Sequence, residues 1–219
     1  MSLNAELQAF YLARRPQTPA EVRDATAQAL GELAESGQAA QAPSIGDRAP
    51  LFALSDAAGR TVRLADRLGA GPVVLTFYRG AWCPYCNMAL RALQQIHGEI
   101  TARSASLVAI SPQSPDDSLS LAEKQGLAFD VLSDPACGTA KSYGLAFDPG
   151  ERLSEAYRQI GLDLEQANAD GSRLLPIPGT FVIAPDGTIA WSFADIDYTK
   201  RAEPADILAA LDAITDSED

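Results

Sequence analysis

The run Phe77-Tyr78-Arg79-Gly80-Ala81-Trp82-Cys83-Pro84-Tyr85-Cys86 decides how this chain is read. Ahead of it lies Pro72-Val73-Val74-Leu75-Thr76, apolar and β-branched like a buried strand. Behind it, Leu90, Leu93 and Ile96 or His97 recur at helical spacing. A close pair of cysteines therefore stands where a central strand hands over to a helix. The first turn of a helix carries backbone N–H groups with no internal partner, and the macrodipole puts partial positive charge there. A thiolate at that place is stabilised, so its pKa falls from ~8.5 towards ~7 or below. Pro84 sits where a missing N–H costs nothing, and it stiffens the turn. Cysteines at this spacing can close a small disulfide, with one attacking a substrate and the other resolving the intermediate. Arg79 adds positive charge if its side chain turns inward.

Three blander readings compete. Half of a zinc site needs further ligands, and only Cys137 and His97 remain, with no second close pair. A structural disulfide over so short a loop adds little stability to a cysteine-poor chain. Inert core cysteines fit poorly with a strand-to-helix junction beside Trp82. The redox-active dithiol carries most of the weight.

The 219 residues are enough for one domain with appended helices, and 47% hydrophobic content supplies a sizeable core. Net charge is −12 with no basic cluster, which disfavours nucleic acid or an anionic membrane surface as partner. No segment approaches the length of a membrane span. The N-terminus lacks a basic region followed by an apolar one, so no export signal is expected. The odd count of 3 cysteines does not suit a secreted disulfide framework, and a cytoplasmic protein is expected. Asp216 to Asp219 reads as a solvated acidic tail.

Residues 1–44 read as a helical extension and 45–219 as the main domain. Leu3, Leu7, Phe10 and Tyr11 share one helical face, and Pro16 breaks the pattern. Thr18 is expected to cap a second helix, with Pro19 at its first position and Glu21 behind. Val22, Ala25, Ala29, Leu30 and Leu33 continue one face to Gly37. These helices pack on the domain or, alternatively, on a second copy in a homodimer. Leu51, Phe52 and Leu54 suggest a strand, Asp56 to Gly59 a turn, and Thr61 to Leu64 its hairpin partner. Ser106 to Ser111 reads as a buried strand, Pro115 to Gly126 as a helix, Phe129 to Asp134 as a strand, and Pro135 to Tyr143 as a helix stopped by Gly144. Residues 148–175 interrupt this rhythm as a helical insertion, expected to form one wall of the site but to hold nothing catalytic. Ile177 to Ile183 and Thr188 to Phe193 form a hairpin around Pro185-Asp186-Gly187. A cis peptide is expected at Pro178. Ile207, Leu208, Leu211 and Ile214 mark the last helix. The alternation is that of an α/β sheet covered on both faces.

Several motifs in this order resemble the alkyl hydroperoxide reductase / thiol-specific antioxidant family, the peroxiredoxins and their relatives. They are Gly46-Asp47-x-Ala49-Pro50-x-Phe52-x-Leu54, the cysteine run itself, Leu132-Ser133-Asp134-Pro135, Ala140-x-x-Tyr143-Gly144, and Gly179-Thr180-Phe181-Val182-Ile183-x-Pro185-Asp186-Gly187. The resemblance covers roughly residues 45–214 apart from the insertion, and it implies a thioredoxin fold. It places Cys86 on the family's peroxidatic cysteine. Arg79 stands where the family has a proline, and Cys83 where it has a threonine. Pro178 stands where the family has its peroxide-polarising arginine, as the cis-proline does in thioredoxins. The chain thus looks like a subgroup in which CxxC replaces TxxC. Pro84-Tyr85 is also the glutaredoxin dipeptide, whose proteins have potentials of roughly −200 to −230 mV against ~−270 mV for thioredoxin.

The resemblance implies a thiol-dependent peroxidase without cofactor or metal. Cys86 attacks a hydroperoxide, Cys83 condenses with the sulfenic acid, and thioredoxin, glutaredoxin or glutathione reduces the disulfide. The alternative is a thiol-disulfide oxidoreductase in which a more exposed Cys83 attacks a disulfide substrate and Cys86 resolves. A non-enzymatic redox sensor is the third reading. Arg79, Trp82, Pro84, Tyr85, Pro178 and Thr180 are the expected binding or site-shaping residues. Cys137 reads as a small buried residue, with a distant resolving cysteine as the alternative. His97 lies too far along the helix to act as a base. Asp195, Asp197, Tyr198 and Arg201 read as a solvated loop, with a place on the site's rim as the alternative.

Overall fold

The computed structural model describes residues 2–56, 58–114 and 126–215. In chain order the helices are α1 (Leu3–Arg14), α2 (Ala20–Ser36), α3 (Leu64–Leu68), α4 (Pro84–Gln95), α5 (His97–Ala102), α6 (Gly138–Ser142), α7 (Gly150–Gln159), α8 (Leu164–Ala167) and α9 (Pro204–Thr215). The strands are β1 (Ala53–Asp56), β2 (Thr61–Arg63), β3 (Val73–Phe77), β4 (Ser106–Ser111), β5 (Asp130–Ser133), β6 (Ala146–Phe147), β7 (Leu175–Pro176), β8 (Gly179–Ile183) and β9 (Ile189–Ala194). Seven strands form one mixed sheet in the order β2-β1-β5-β4-β3-β8-β9, and β6 pairs with β7 apart from it. Strand β3 is central: it runs parallel to β4 and antiparallel to β8. Every residue of β3 is buried, as its mostly apolar, β-branched sequence suits a strand covered on both faces, with the one polar side chain, Thr76, hydrogen-bonded to Thr180.

Alternation along β3 sorts the core. Val73, Leu75 and Phe77 face α3, α6 and Tyr143. Val74 faces the other way, towards α5 and α9. Beyond Phe77 the chain turns to that second face, where Tyr78, Cys83 and Cys86 pack with Leu3 and Leu7 of α1. Helix α2 lies outboard and meets α7: Val22 and Ala25 pack with Leu153, Ala156 and Tyr157. Both N-terminal helices are thus seated on this chain.

Helix α1 is held at its start by a charge. The Leu3 and Asn4 backbone N–H groups donate to the Glu203 carboxylate at 2.9 and 2.8 Å. A carboxylate there satisfies two orphan donors and complements the helix dipole. Burial opposes its ionisation, but these bonds hold the Glu203 pKa below its ordinary value.

Several local expectations shift. Thr18 does not cap α2: its hydroxyl donates back to the Arg14 carbonyl at 3.2 Å, closing the turn after α1. No peptide bond among the described residues is cis, so Pro178 enters β8 through a trans bond. The helix after the cysteines breaks at Ile96, and His97 opens α5. Pro135 to Tyr143 is a short 3-10 turn and α6, interrupted by left-handed residues at Ala136 and Cys137. Most of the helix expected over Pro115 to Gly126 lies outside the described residues. In the β8–β9 hairpin, Gly187 at φ +89° lets the turn close, and its N–H donates to the Ala184 carbonyl at 2.8 Å.

Candidate active site

Strand β3 and helix α4 position the sulfurs. The Tyr78 N–H still donates to the Ile110 carbonyl at 3.0 Å, so the sheet carries the chain up to Arg79. Gly80 then makes the bend at φ +146°. A Cβ there would meet Trp82 Nε1 at 2.6 Å and Gln113 Cδ at 3.0 Å, so only glycine fits. The Gln113 side-chain carbonyl accepts from the Ala81 N–H. The Asn87 side-chain amide donates to the Ala81 carbonyl at 2.8 Å. These two contacts fix the loop from both sides. Cys83 is the N-cap of α4, Pro84 begins it, and Cys86 lies in its first turn, where no acidic side chain competes.

Both cysteines are buried, Cys83 at 2% and Cys86 at 0% exposure. The more exposed Cys83 of the disulfide-exchange alternative is not found. Burial is expected to raise a thiol pKa, and for Cys83 it does, helped by its hydrogen bond to Cys86. Cys86 behaves oppositely. Burial pushes its pKa up, but the Cys83 thiol donates to it, the Arg201 guanidinium stands beside it, and Arg79 adds a backbone hydrogen bond and its charge. The balance brings Cys86 down to about 5. The pair is therefore biased in one direction, with the proton favoured on Cys83 and the negative charge on Cys86.

Two guanidiniums add to the effect of the Cys83 hydrogen bond. Arg201 Nη2 donates to Cys86 Sγ at 3.1 Å, while its Nη1 donates to the Tyr198 and Lys200 carbonyls, both at 2.6 Å. Arg79 Nη2 donates to the Tyr157 hydroxyl at 2.9 Å. The Arg79 guanidinium lies 5.0 Å from the Trp82 ring and 4.9 Å from the Tyr198 ring. Aromatic faces stabilise a desolvated cation without neutralising it. Both arginines are buried, and among the described residues neither pairs with a carboxylate. A buried cation requires an anion, and the Cys86 sulfur is the group placed to be one. Arg79 Nε and Trp82 Nε1 are buried donors without an acceptor among the described residues.

Helix α1 reaches this site indirectly. Asn4 accepts from the Arg201 N–H at 2.9 Å and donates to the Arg201 carbonyl at 2.7 Å. The extension thereby fixes the backbone from which Arg201 reaches the sulfur. Phe10 of α1 meets the Tyr85 ring edge-on at 5.4 Å, and Tyr198 meets it on another side at 5.4 Å.

The residues singled out in the sequence fall in different places. Arg79, Trp82, Pro84 and Tyr85 surround the sulfurs. Pro178 borders an apolar crevice together with Arg79, Tyr157 and Tyr198. Thr180 is buried within the sheet, its hydroxyl 3.0 Å from that of Thr76. Cys137 lies in the core of the opposite face, its pKa pushed up to about 12 by burial and by Asp134. His97 packs against Phe129. Neither joins the pair.

Arg201, expected in a solvated loop, is instead buried against Cys86. Tyr157, in an insertion expected to hold nothing catalytic, accepts from Arg79. Gln113 was not singled out at all. The available signal for Arg201 was the empty arginine position at Pro178: a fold that uses a cation there leaves a vacancy for another loop to fill.

Known proteins share the family and the fold. The family model described as "AhpC/TSA family" matches residues 45–192, well over half of the chain. A Mycobacterium tuberculosis protein (strain CDC 1551 / Oshkosh) carrying a provisional peroxiredoxin name is 39% identical over 90 residues, 41% of this chain and 57% of that protein. The thiol-disulfide oxidoreductase ResA of Halalkalibacterium halodurans is 26% identical over 116 residues, 52% of this chain and 65% of that protein. The chain thus spans somewhat over half the length of these curated relatives. The crystal structure of peroxidoxin BcpB from Mycobacterium tuberculosis superposes with a TM-score of 0.60 at 27% identity, covering 78% of this chain and 97% of that one. With the sheet, the cysteine-bearing helix start and the family match in agreement, this chain belongs to the AhpC/TSA family, the peroxiredoxins and their relatives on the thioredoxin fold.

Proposed function

We propose that the protein is a thiol-dependent peroxidase in which Cys86 is the peroxidatic residue and Cys83 resolves it. The observation that carries this reading is the contact from Arg201 Nη2 to Cys86 Sγ at 3.1 Å. The Cys86 thiolate attacks the terminal oxygen of a hydroperoxide, the O–O bond breaks, and the alcohol or water leaves after taking a proton. Sulfur is oxidised to sulfenic acid by two electrons. The Cys83 thiol then displaces water from that sulfenic acid, giving the intramolecular disulfide. Arg79 and Arg201 favour the anion before attack and the charge that moves onto the peroxide oxygens during it. The donors Arg79 Nε and Trp82 Nε1 are available to those oxygens. A thiol reductant, whether thioredoxin, glutaredoxin or glutathione, closes the cycle.

Disulfide exchange initiated at Cys83 is the second reading, favoured by the CxxC spacing and by the ResA relative. It needs the thiolate on Cys83, whose pKa burial raises instead. A sensor would share the oxidation step and lack turnover. Hydroperoxide consumption with a supplied dithiol separates these. Wild type turns over, Cys86→Ser does not, and Cys83→Ser accumulates a trappable sulfenic acid. A wild type that consumes no hydroperoxide but reduces protein disulfides refutes the peroxidase.

A further inference from the structure

A cleft of about 500 Å³ opens beside the site, between α1, the turn after it, and α2. Its volume lies within the roughly 300–1,000 Å³ range of small-molecule pockets. Tyr85 and Tyr198, the ring pair packed against the cysteine loop, form part of its wall. Neither sulfur lines the cleft, and both pack in one cluster with these rings.

The charge of the cleft runs against that of the chain. Net charge is −12, yet Arg14, Arg15 and Arg23 all line this cleft. None of them pairs with a carboxylate among the described residues, whereas most other arginines of the chain's surface do. Arg14 stands 5.6 Å over the Phe10 ring, and Arg23 donates to the Arg15 carbonyl at 3.3 Å. Two carboxylates, Asp24 and Asp197, share the same lining. Three cations and two anions around a small-molecule volume suit a ligand with more than one carboxylate and an ammonium.

We propose that this cleft binds the reductant of the cycle, and that the reductant is a small zwitterionic thiol with two carboxylates, of which glutathione is the chemical type. This rests on the peroxidase reading and adds to it the electron donor and its site. Burial favours a small donor over a protein one. A protein reductant must lay its own cysteine against the disulfide, and both sulfurs here are sealed beneath α1, Tyr85 and Tyr198. A small thiol needs only the two rings to part.

The chemistry balances with two thiols. The first thiolate attacks Cys83 Sγ of the disulfide, the S–S bond breaks, and Cys86 leaves as the thiolate. Leaving is fastest for the sulfur of lower pKa, which selects this direction. The second thiolate attacks the outer sulfur of the mixed disulfide, releasing Cys83, which takes a proton. The protein gains two electrons, and the two thiols become one external disulfide.

The test uses the full chain and S-methylglutathione, which cannot react. Its binding is measured by calorimetry on wild type, on Arg14→Gln/Arg15→Gln/Arg23→Gln, and on the triple lysine variant. Saturable binding is expected in wild type, weakened about tenfold or more by glutamine and largely retained by lysine. In rapid mixing, the oxidised glutamine variant is reduced more slowly by glutathione but at the wild-type rate by dithiothreitol, which has no carboxylate. Absence of binding, binding that survives charge removal, or equal slowing of both thiols overturns the proposal. So does a glutamine variant impaired only in its oxidation by a carboxylate-bearing hydroperoxide, which would give the cleft to the oxidant. Arginine-dependent binding by a protein that consumes no hydroperoxide would leave the cleft standing and refute the peroxidase reading.

Discussion

Replacing Arg201 by methionine removes one hydrogen bond and one charge from Cys86 while keeping an unbranched apolar stem in place of the arginine's own. Unit charges this close, in an effective dielectric of ~20, attract by ~4 kcal/mol or somewhat more. Desolvation of the buried guanidinium offsets part of that. The net worth of a hydrogen bond to a charged group is ~1.5–3 kcal/mol. At 1.36 kcal/mol per pKa unit, this is a rise of ~1–2 units. Cys86 then moves from about 5 to ~6–7, still below a free thiol because Arg79, Cys83 and the helix start remain. Thiolate absorbance in the ultraviolet, followed against pH in the reduced protein, reads this directly. The lowest-pH step should disappear in Cys86→Ser and shift upward in Arg201→Met. A midpoint that stays within ~0.5 unit of wild type in Arg201→Met, or a low-pH step that vanishes with Cys83→Ser but persists with Cys86→Ser, would refute the argument.

Asn4→Ala removes both hydrogen bonds to the Arg201 backbone, and should raise the Cys86 midpoint in the same titration although it lies far from the sulfur in sequence. Asn4→Asp should recover nothing, because its carboxylate would face the Glu203 carboxylate and the Arg201 carbonyl, both of which the Asn4 amide now reaches at 2.7 Å. Gly80→Ala drives a Cβ against Trp82 and Gln113 at positive φ, and should destabilise by about 1–3 kcal/mol in urea unfolding. It should also slow peroxide consumption by displacing the loop. The depressed Cys86 pKa has a signed consequence for stability: this thiolate's contribution is complete above the unfolded thiol value of ~8.5 and is lost as pH falls through about 5. Urea midpoints should therefore rise with pH across that window, and the rise should be smaller in Cys86→Ser.

The central features were legible because they are local. A β-branched run, a cysteine pair and an amphipathic stretch fix strand, turn and helix start within a few residues of one another. The electrostatics were not local. Arg201 reaches Cys86 from a loop 115 positions away, and nothing in Asp195-Ile196-Asp197-Tyr198 distinguishes a solvated turn from one tied down by Asn4. Tyr157 shows helical spacing that marks its buried face, but not that its hydroxyl ends on Arg79. Thr18 and Pro19 match a capping pattern, yet the hydroxyl found a nearer acceptor in the preceding turn. Pro178 invited a cis bond by analogy with thioredoxins, and the chain enters β8 in trans. The sulfurs' burial also escaped the sequence, because α1, which covers them, carries an apolar stripe equally suited to other packing.

The measurement closest to the central claim is the identity of the sulfur that a hydroperoxide oxidises first. One equivalent of hydroperoxide is added to reduced Cys83→Ser and to reduced Cys86→Ser, a sulfenic-acid trap follows, and the adduct is located by peptide mass spectrometry. The adduct is expected on Cys86 in the first variant, with little or none on Cys83 in the second. Rapid trapping on Cys83, with Cys86 left unmodified, would contradict the account.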